Sequence, residues 1–109
     1  MANNYKFTGV ALATTSETTL LTAAADTTVV IRSIRVTNNT ANTPTISMDV
    51  LDSSQSNTEF TILNTQSLAA NTSVEILTVP LVLEKSDALK ATISSTDSIH
   101  IGISYLSIT

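Results

Sequence analysis

The sequence predicts an all-β fold: a single antiparallel β-sandwich of jelly-roll type, with roughly seven or eight strands in one domain over residues 1–109. Three observations carry this expectation. Apolar and polar residues alternate at period two through most of the chain. Clusters of turn-forming residues recur about every 8–14 residues. The strand-like runs are rich in Thr, Val and Ile, whose branched side chains suit a pleated surface, and none carries a helical stripe.

Taken in chain order, a short apolar N-terminal strand precedes the run Thr18–Thr40. Within that run Val29 and Ile31 share one phase and Ile34 and Val36 the other, so the alternation slips near Arg32-Ser33. A bulge, or a strand passing between sheets, accounts for the slip. Ile46, Met48 and Val50 share a face, and Phe60 and Ile62 resume the pattern. Val74 and Ile76, then Leu89, Ala91 and Ile93, then Ile99, Ile101, Ile103 and Tyr105 follow. On these phases Phe7, Phe60 and Tyr105 are expected in the core, which leaves Tyr5 as the exposed aromatic. Asn38–Asn42, Asp52–Asn57, Glu84–Asp87 and Ser94–Asp97 carry turn chemistry, since Asn, Asp and Ser side chains bond their own backbone. Pro44 and Pro80 fit strand edges, where a missing N–H is tolerated. Ala23–Asp26 could form no more than one helical turn.

Composition excludes several functions. The chain has 109 residues with five basic and nine acidic side chains, one histidine, two glycines and no cysteine or tryptophan. Thr, Ser and Asn number 20, 14 and 8. Without cysteine there is no disulfide framework, thiol nucleophile or thiolate metal site. A net charge of −4 argues against nucleic-acid and membrane partners, which need a basic face. The N-terminal Met1–Lys6 lacks the basic-then-apolar pattern of a secretory signal, so synthesis and assembly in a cytoplasm are expected. The triplets Asn38-Asn39-Thr40 and Asn71-Thr72-Ser73 read as chance matches to a glycosylation acceptor in an Asn/Thr-rich chain.

Catalytic constellations are weak. His100 with Asp97 and Ser98 or Ser104 could suggest a hydrolase, but an outward strand histidine is the simpler reading. Asp49/Asp52 and Glu84/Asp87 are carboxylate pairs in number only, set at a strand exit and in a turn. Asp49, Asp52 and Ser53 could gather around calcium but lack EF-hand spacing. No enzyme activity, cofactor or metal is expected. Association is the better candidate. Arg32 and Arg35 could contact an acidic neighbour or simply be solvated. Leu106 and Ile108 oppose the phase of Ile101 and Ile103, and Leu77 and Val79 oppose that of Val74 and Ile76. These four side chains either form an outward apolar patch or pack in a second layer.

The order of elements is carried by Thr18–Thr40, the run Val79–Ala91 and the closing Ile103-Ser104-Tyr105-Leu106-Ser107-Ile108. It resembles the small β-sandwich proteins and modules in virions of tailed bacteriophages, including marine cyanobacterial phages. The resemblance implies a passive virion structural protein that decorates or cements the capsid or forms part of the neck or tail. Its partners would be phage capsid or neck/tail proteins and symmetric copies of itself. The alternative is a glycan- or host-surface-binding module displayed on the particle. Lys85-Ser86-Asp87 departs from the pattern, which usually has Gly before the Asp, and leaves the geometry of that turn open.

Overall fold

The computed structural model describes residues 2–109. Among these residues nine strands form: β1 (Asn3–Leu12), β2 (Thr18–Thr22), β3 (Thr28–Asn38), β4 (Thr45–Asp52), β5 (Thr58–Ser67), β6 (Ser73–Glu75), β7 (Leu81–Leu83), β8 (Ala88–Ile93) and β9 (Ile99–Ile108). The first sheet runs β1-β9-β3-β6, with β7 also on β3, and the second runs β2-β8-β4-β5. Every pairing is antiparallel. Because β6 and β7 dock in succession on the same neighbour, they are one interrupted strand. Counted so, two four-stranded sheets remain, and consecutive strands cross repeatedly between them, as in a jelly roll. The interruption explains why nine strands stand where seven or eight were expected. Pro80 restarts the strand immediately before Leu81, where its missing N–H is harmless.

The phase slip in β3 is a bulge. Ile31 pairs with Tyr105 and Ser33 with Ser104, leaving Arg32 as the extra residue. Arg32 and Ser33 therefore share one place on the outer face. The bulge lets Val29 and Ile31 point inward before it and Ile34 and Val36 after it, and all four are buried. Between the sheets they meet Ile46, Met48, Leu89, Ile93, Ile99, Ile101 and Ile103, a core dominated by β-branched and aliphatic side chains.

Two of the expected core aromatics are outside it. Phe7 is 69% exposed and Phe60 50% exposed, whereas Tyr105 does pack against the core. On β1 the inward phase is Thr8, Val10 and Leu12, which sends Phe7 outward with Gly9 and Ala11. Phe60 belongs to β5, the outermost strand of the second sheet, which has register shifts beside Met48. Leu77 packs partly on the core beside Ile76, the second of the two placements its phase leaves open. The alternation of β6 does not continue past Glu75.

Two buried polar side chains fasten opposite ends of the sandwich. Asn38 donates through Nδ2 to the carbonyls of Asn42 (2.8 Å), Leu68 (3.3 Å) and Ala69 (3.3 Å), and its Oδ1 accepts from Thr40 N and Oγ1. Asp87 accepts from Ser53 N at 3.0 Å, Ser53 Oγ at 3.2 Å and Glu84 N at 3.0 Å. Both side chains convert turn sequences into long-range ties.

The turn before Asp87 puts Ser86 in the left-handed region, at φ 67°. This is the position where the resemblance has Gly. A side chain there costs roughly 1 kcal/mol, partly offset by the extra freedom Gly brings to the unfolded chain. Ser86→Gly is therefore expected to stabilise the protein by about 0.5 kcal/mol in urea titration, whereas Ser86→Ala should not.

Candidate interaction surface

The outer face of the first sheet is built by register. Tyr5 on β1 pairs with Leu106 on β9, Leu106 pairs with Val30 on β3, and Val30 pairs with Val82 on β7. Side chains directly opposite each other share a face. These four therefore form one apolar row across the sheet. Tyr5 is 76% exposed and Val82 51% exposed, with Leu106 and Val30 half-buried between them. Ile108 continues the patch in the next row, flanked by Asn3 and Thr28. An exposed apolar strip of this kind is a candidate association surface.

Phe7 lies in the row beyond, opposite Ser104. Its ring covers Gly9 and Gly102, which face each other across β1 and β9. A Cβ on Gly102 would stand 3.0 Å from Phe7 Cε1, and one on Gly9 would stand 3.5 Å from Cε2. The two glycines of the chain thus form a flat floor on which an aromatic ring rests, a known compensation for glycine in a sheet. The same floor lies in a shallow depression of about 490 Å³ that also touches Arg35 and His100.

Of the residues singled out in the sequence, Arg32, Arg35, Leu106 and Ile108 come together on this face. Arg32 and Arg35 are exposed, and the single salt bridge among the described residues joins Lys90 to Glu17 elsewhere. Val79 is exposed in the segment between β6 and β7, and Leu77 sits against the core. Tyr5, Phe7, Val30 and Val82 complete the face. Val30 was hidden by the run Val29-Val30-Ile31 and Val82 by the run Leu81-Val82-Leu83, where apolar residues occupy both phases. The strand periods of Leu106 and Ile108 were the available signal.

Glu75 holds this face at the point where β6 leaves β3. Its carboxylate accepts from Ser33 Oγ, from Ile34 N at 2.8 Å and from Leu77 N at 3.2 Å. The Ile34 amide thereby gains a partner where the strand is interrupted. Burial pushes the Glu75 carboxyl upward. The Ser33, Ile34 and Leu77 hydrogen bonds and the Arg35 charge outweigh that and hold it below its ordinary 4.5. The stability it supplies is full above that ordinary value and is lost as pH falls through the folded one. Glu75→Gln is expected to cost about 1 kcal/mol at neutral pH, discounted for exposure, and to make acid unfolding less steep. Urea titrations at pH 7 and pH 3 check this: the variant's deficit should shrink at the lower pH.

The remaining candidates are accounted for separately. Asp97 is held low by hydrogen bonds from Ser95 Oγ and Asn42 Nδ2, which tie neighbouring loops. No hydrogen bond joins it to His100 among the described residues; His100 stands on the outer face, paired with Ala11 and Thr37. Asp52 accepts from Ser54 N and Oγ and opens a short 3-10 turn at Ser53–Gln55. It does not gather with Asp49, whose carboxylate instead lies near Glu17 and Glu59 on the second sheet's outer face. Hydrogen bonding with Glu59, then burial and the charges of Glu59 and Asp49, push Glu17 upward against the pull of Lys90. Asn38 is 1% exposed with its amide engaged, so the first glycosylation-type triplet has no accessible acceptor in the folded chain.

No protein-family model matches the chain, and no curated protein matches it by sequence. Similar solved structures do exist. A chain of the T13 IBDV viral particle is 11% identical with a TM-score of 0.60, covering 96% of this chain and 30% of that one. A chain of the disulfide-linked pili of Bacillus endospore appendages is 8% identical with a TM-score of 0.56, covering 97% and 84%. These likenesses define a shared β-sandwich fold. A chain of the cyanophage Pam1 capsid asymmetric unit is 13% identical with a TM-score of 0.45, covering 95% of this chain and 84% of that one.

Proposed function

We propose that the protein is a non-enzymatic structural subunit of a virus particle, and more finely a capsid decoration or cement protein, or a neck or tail component, of a tailed phage. The observation that carries this reading is the apolar row Tyr5–Leu106–Val30–Val82 across the outer face of the first sheet. The row would lie against capsid or neck/tail proteins, with Arg32 and Arg35 placed beside it to meet acidic groups. Fold likeness to proteins of a viral particle and of a pilus supports a role in assembly, by analogy only. Localisation in the virion follows from the same reading. No described helix is long and apolar enough to cross a membrane.

Mass spectrometry of purified particles tests it. The chain is expected in a fixed ratio to the shell or ring it joins, and Leu106→Asp or Ile108→Asp should reduce incorporation several-fold while the free variant keeps its β-sheet circular dichroism. Absence of the wild-type chain from particles would sink the reading. A second reading, a glycan- or host-surface-binding module, is favoured by one observation: Tyr5 and Phe7 stand exposed on one face of β1. Specific binding on a glycan array, abolished by Tyr5→Ala, would select it.

A further inference from the structure

Each sheet has two edges, and they are not alike. A free edge invites another strand, and proteins blunt it with short strands, bulges or proline. β6 and β7 span three residues each and are separated by Pro80. β2 spans five residues with a register shift. β5 is long, but its register shifts twice, and Thr65 adopts a positive φ of 49°. β1 is different. It is ten residues long, and its register with β9 runs unbroken from Asn3↔Ile108 to Leu12↔Ile99. It contains no proline, and its only charge is Lys6.

We propose that this edge is completed by a second copy of the chain, β1 pairing antiparallel with β1 about a two-fold axis at Phe7. Asn4 and Lys6 lie on the inward phase yet are exposed, so β1 overhangs the second sheet and a partner can approach without the two copies' second sheets colliding. The register follows from the side chains. Directly opposed residues must share a face, so the axis falls on a residue. An axis at Lys6 would set two ammonium groups against each other. An axis at Thr8 sets Lys6 against Val10. The axis at Phe7 sets Lys6 against Thr8 and brings Tyr5 opposite Gly9, where it meets the Phe7 ring that already covers that glycine. Both copies then present Tyr5 and Phe7 as one aromatic cluster, continuous with the apolar row. The pairing is isologous and closes at two copies. It concerns the free chain, so its failure is distinguishable from failure of the virion reading.

The chain lacks cysteine, so single-cysteine variants report the register directly. In the proposed pairing the two thiols of a Phe7→Cys dimer face each other within disulfide reach. The thiols of a Lys6→Cys or a Thr8→Cys dimer would be offset by two positions, roughly 8 Å apart and out of reach. Under mild oxidation Phe7→Cys is expected to give a dimer of twice the 11.5 kDa monomer mass, about tenfold more abundant than from Lys6→Cys or Thr8→Cys. Equal cross-linking at all three positions would overturn the register. Wild-type chain that remains at monomer mass by light scattering up to millimolar concentration, with β1 amide exchange unchanged by concentration, would overturn the pairing whatever the folding of the variants.

Discussion

Replacing Asp87 by alanine is expected to destabilise the sandwich by about 3 kcal/mol, lowering its melting temperature by roughly 15 °C. Asp87 is 4% exposed, and its two oxygens receive three donors. Ser53 belongs to the turn after β4, and Glu84 to the turn after β7. The Asp87 carbonyl also accepts from Ala23 N at 2.9 Å, just past β2. The side chain therefore ties strands of both sheets at one end of the sandwich. Alanine leaves part-buried donors without partners, which costs more than a net hydrogen bond contributes. Asp87→Asn retains one acceptor oxygen and should lose about half as much. Thermal denaturation followed by circular dichroism measures both; a loss within ~0.5 kcal/mol for Asp87→Ala, the range of ordinary surface substitutions, would show that water replaces the carboxylate.

At the other end, Asn38→Ala is expected to cost about 3–4 kcal/mol, the largest effect of any single polar substitution. The Asn38 amide meets three carbonyls and two donors of Thr40, and its own backbone N–H donates to Thr72 O at 2.9 Å. Asn38→Asp is the sharper test. It keeps the acceptor toward Thr40 but turns the donor into an oxygen facing the carbonyls of Asn42, Leu68 and Ala69. It should therefore be at least as damaging as alanine at neutral pH and recover part of its loss in acid, where the carboxyl can donate. Equal stability of Asn38→Asp and wild type at pH 7 would contradict the donor role.

These two side chains show where sequence reasoning stops. Asn38 and Asp87 were legible as turn residues, because their type bonds nearby backbone. Their distant partners were not, since Leu68 lies 30 residues and Ser53 34 residues away in the chain. The β3 bulge was legible because one strand carries both inward phases and needs an extra residue between them. Phe7 was misread through its hydrophobicity, although Val10 and Leu12 already set the inward phase of β1. The floor it covers joins Gly9 to Gly102, a pairing no local pattern reveals. The apolar outer face was half legible: Leu106 and Ile108 stand out by phase, while Val30 and Val82 join them only through the order of strands in the sheet.

Hydroxyl-radical footprinting of the chain, free and bound in particles, tests the central claim most directly, because it reads side chains rather than amides already paired in the sheet. Particle-bound chain should show several-fold lower oxidation at Tyr5, Val82 and Leu106, while Leu51, which pairs with Glu59 in the second sheet, and the acidic face around Asp49 stay unchanged. Undiminished oxidation at Tyr5 and Val82, with protection moved to the second sheet's outer face, would contradict the assignment of the β1-β9-β3-β7 face as the associating surface.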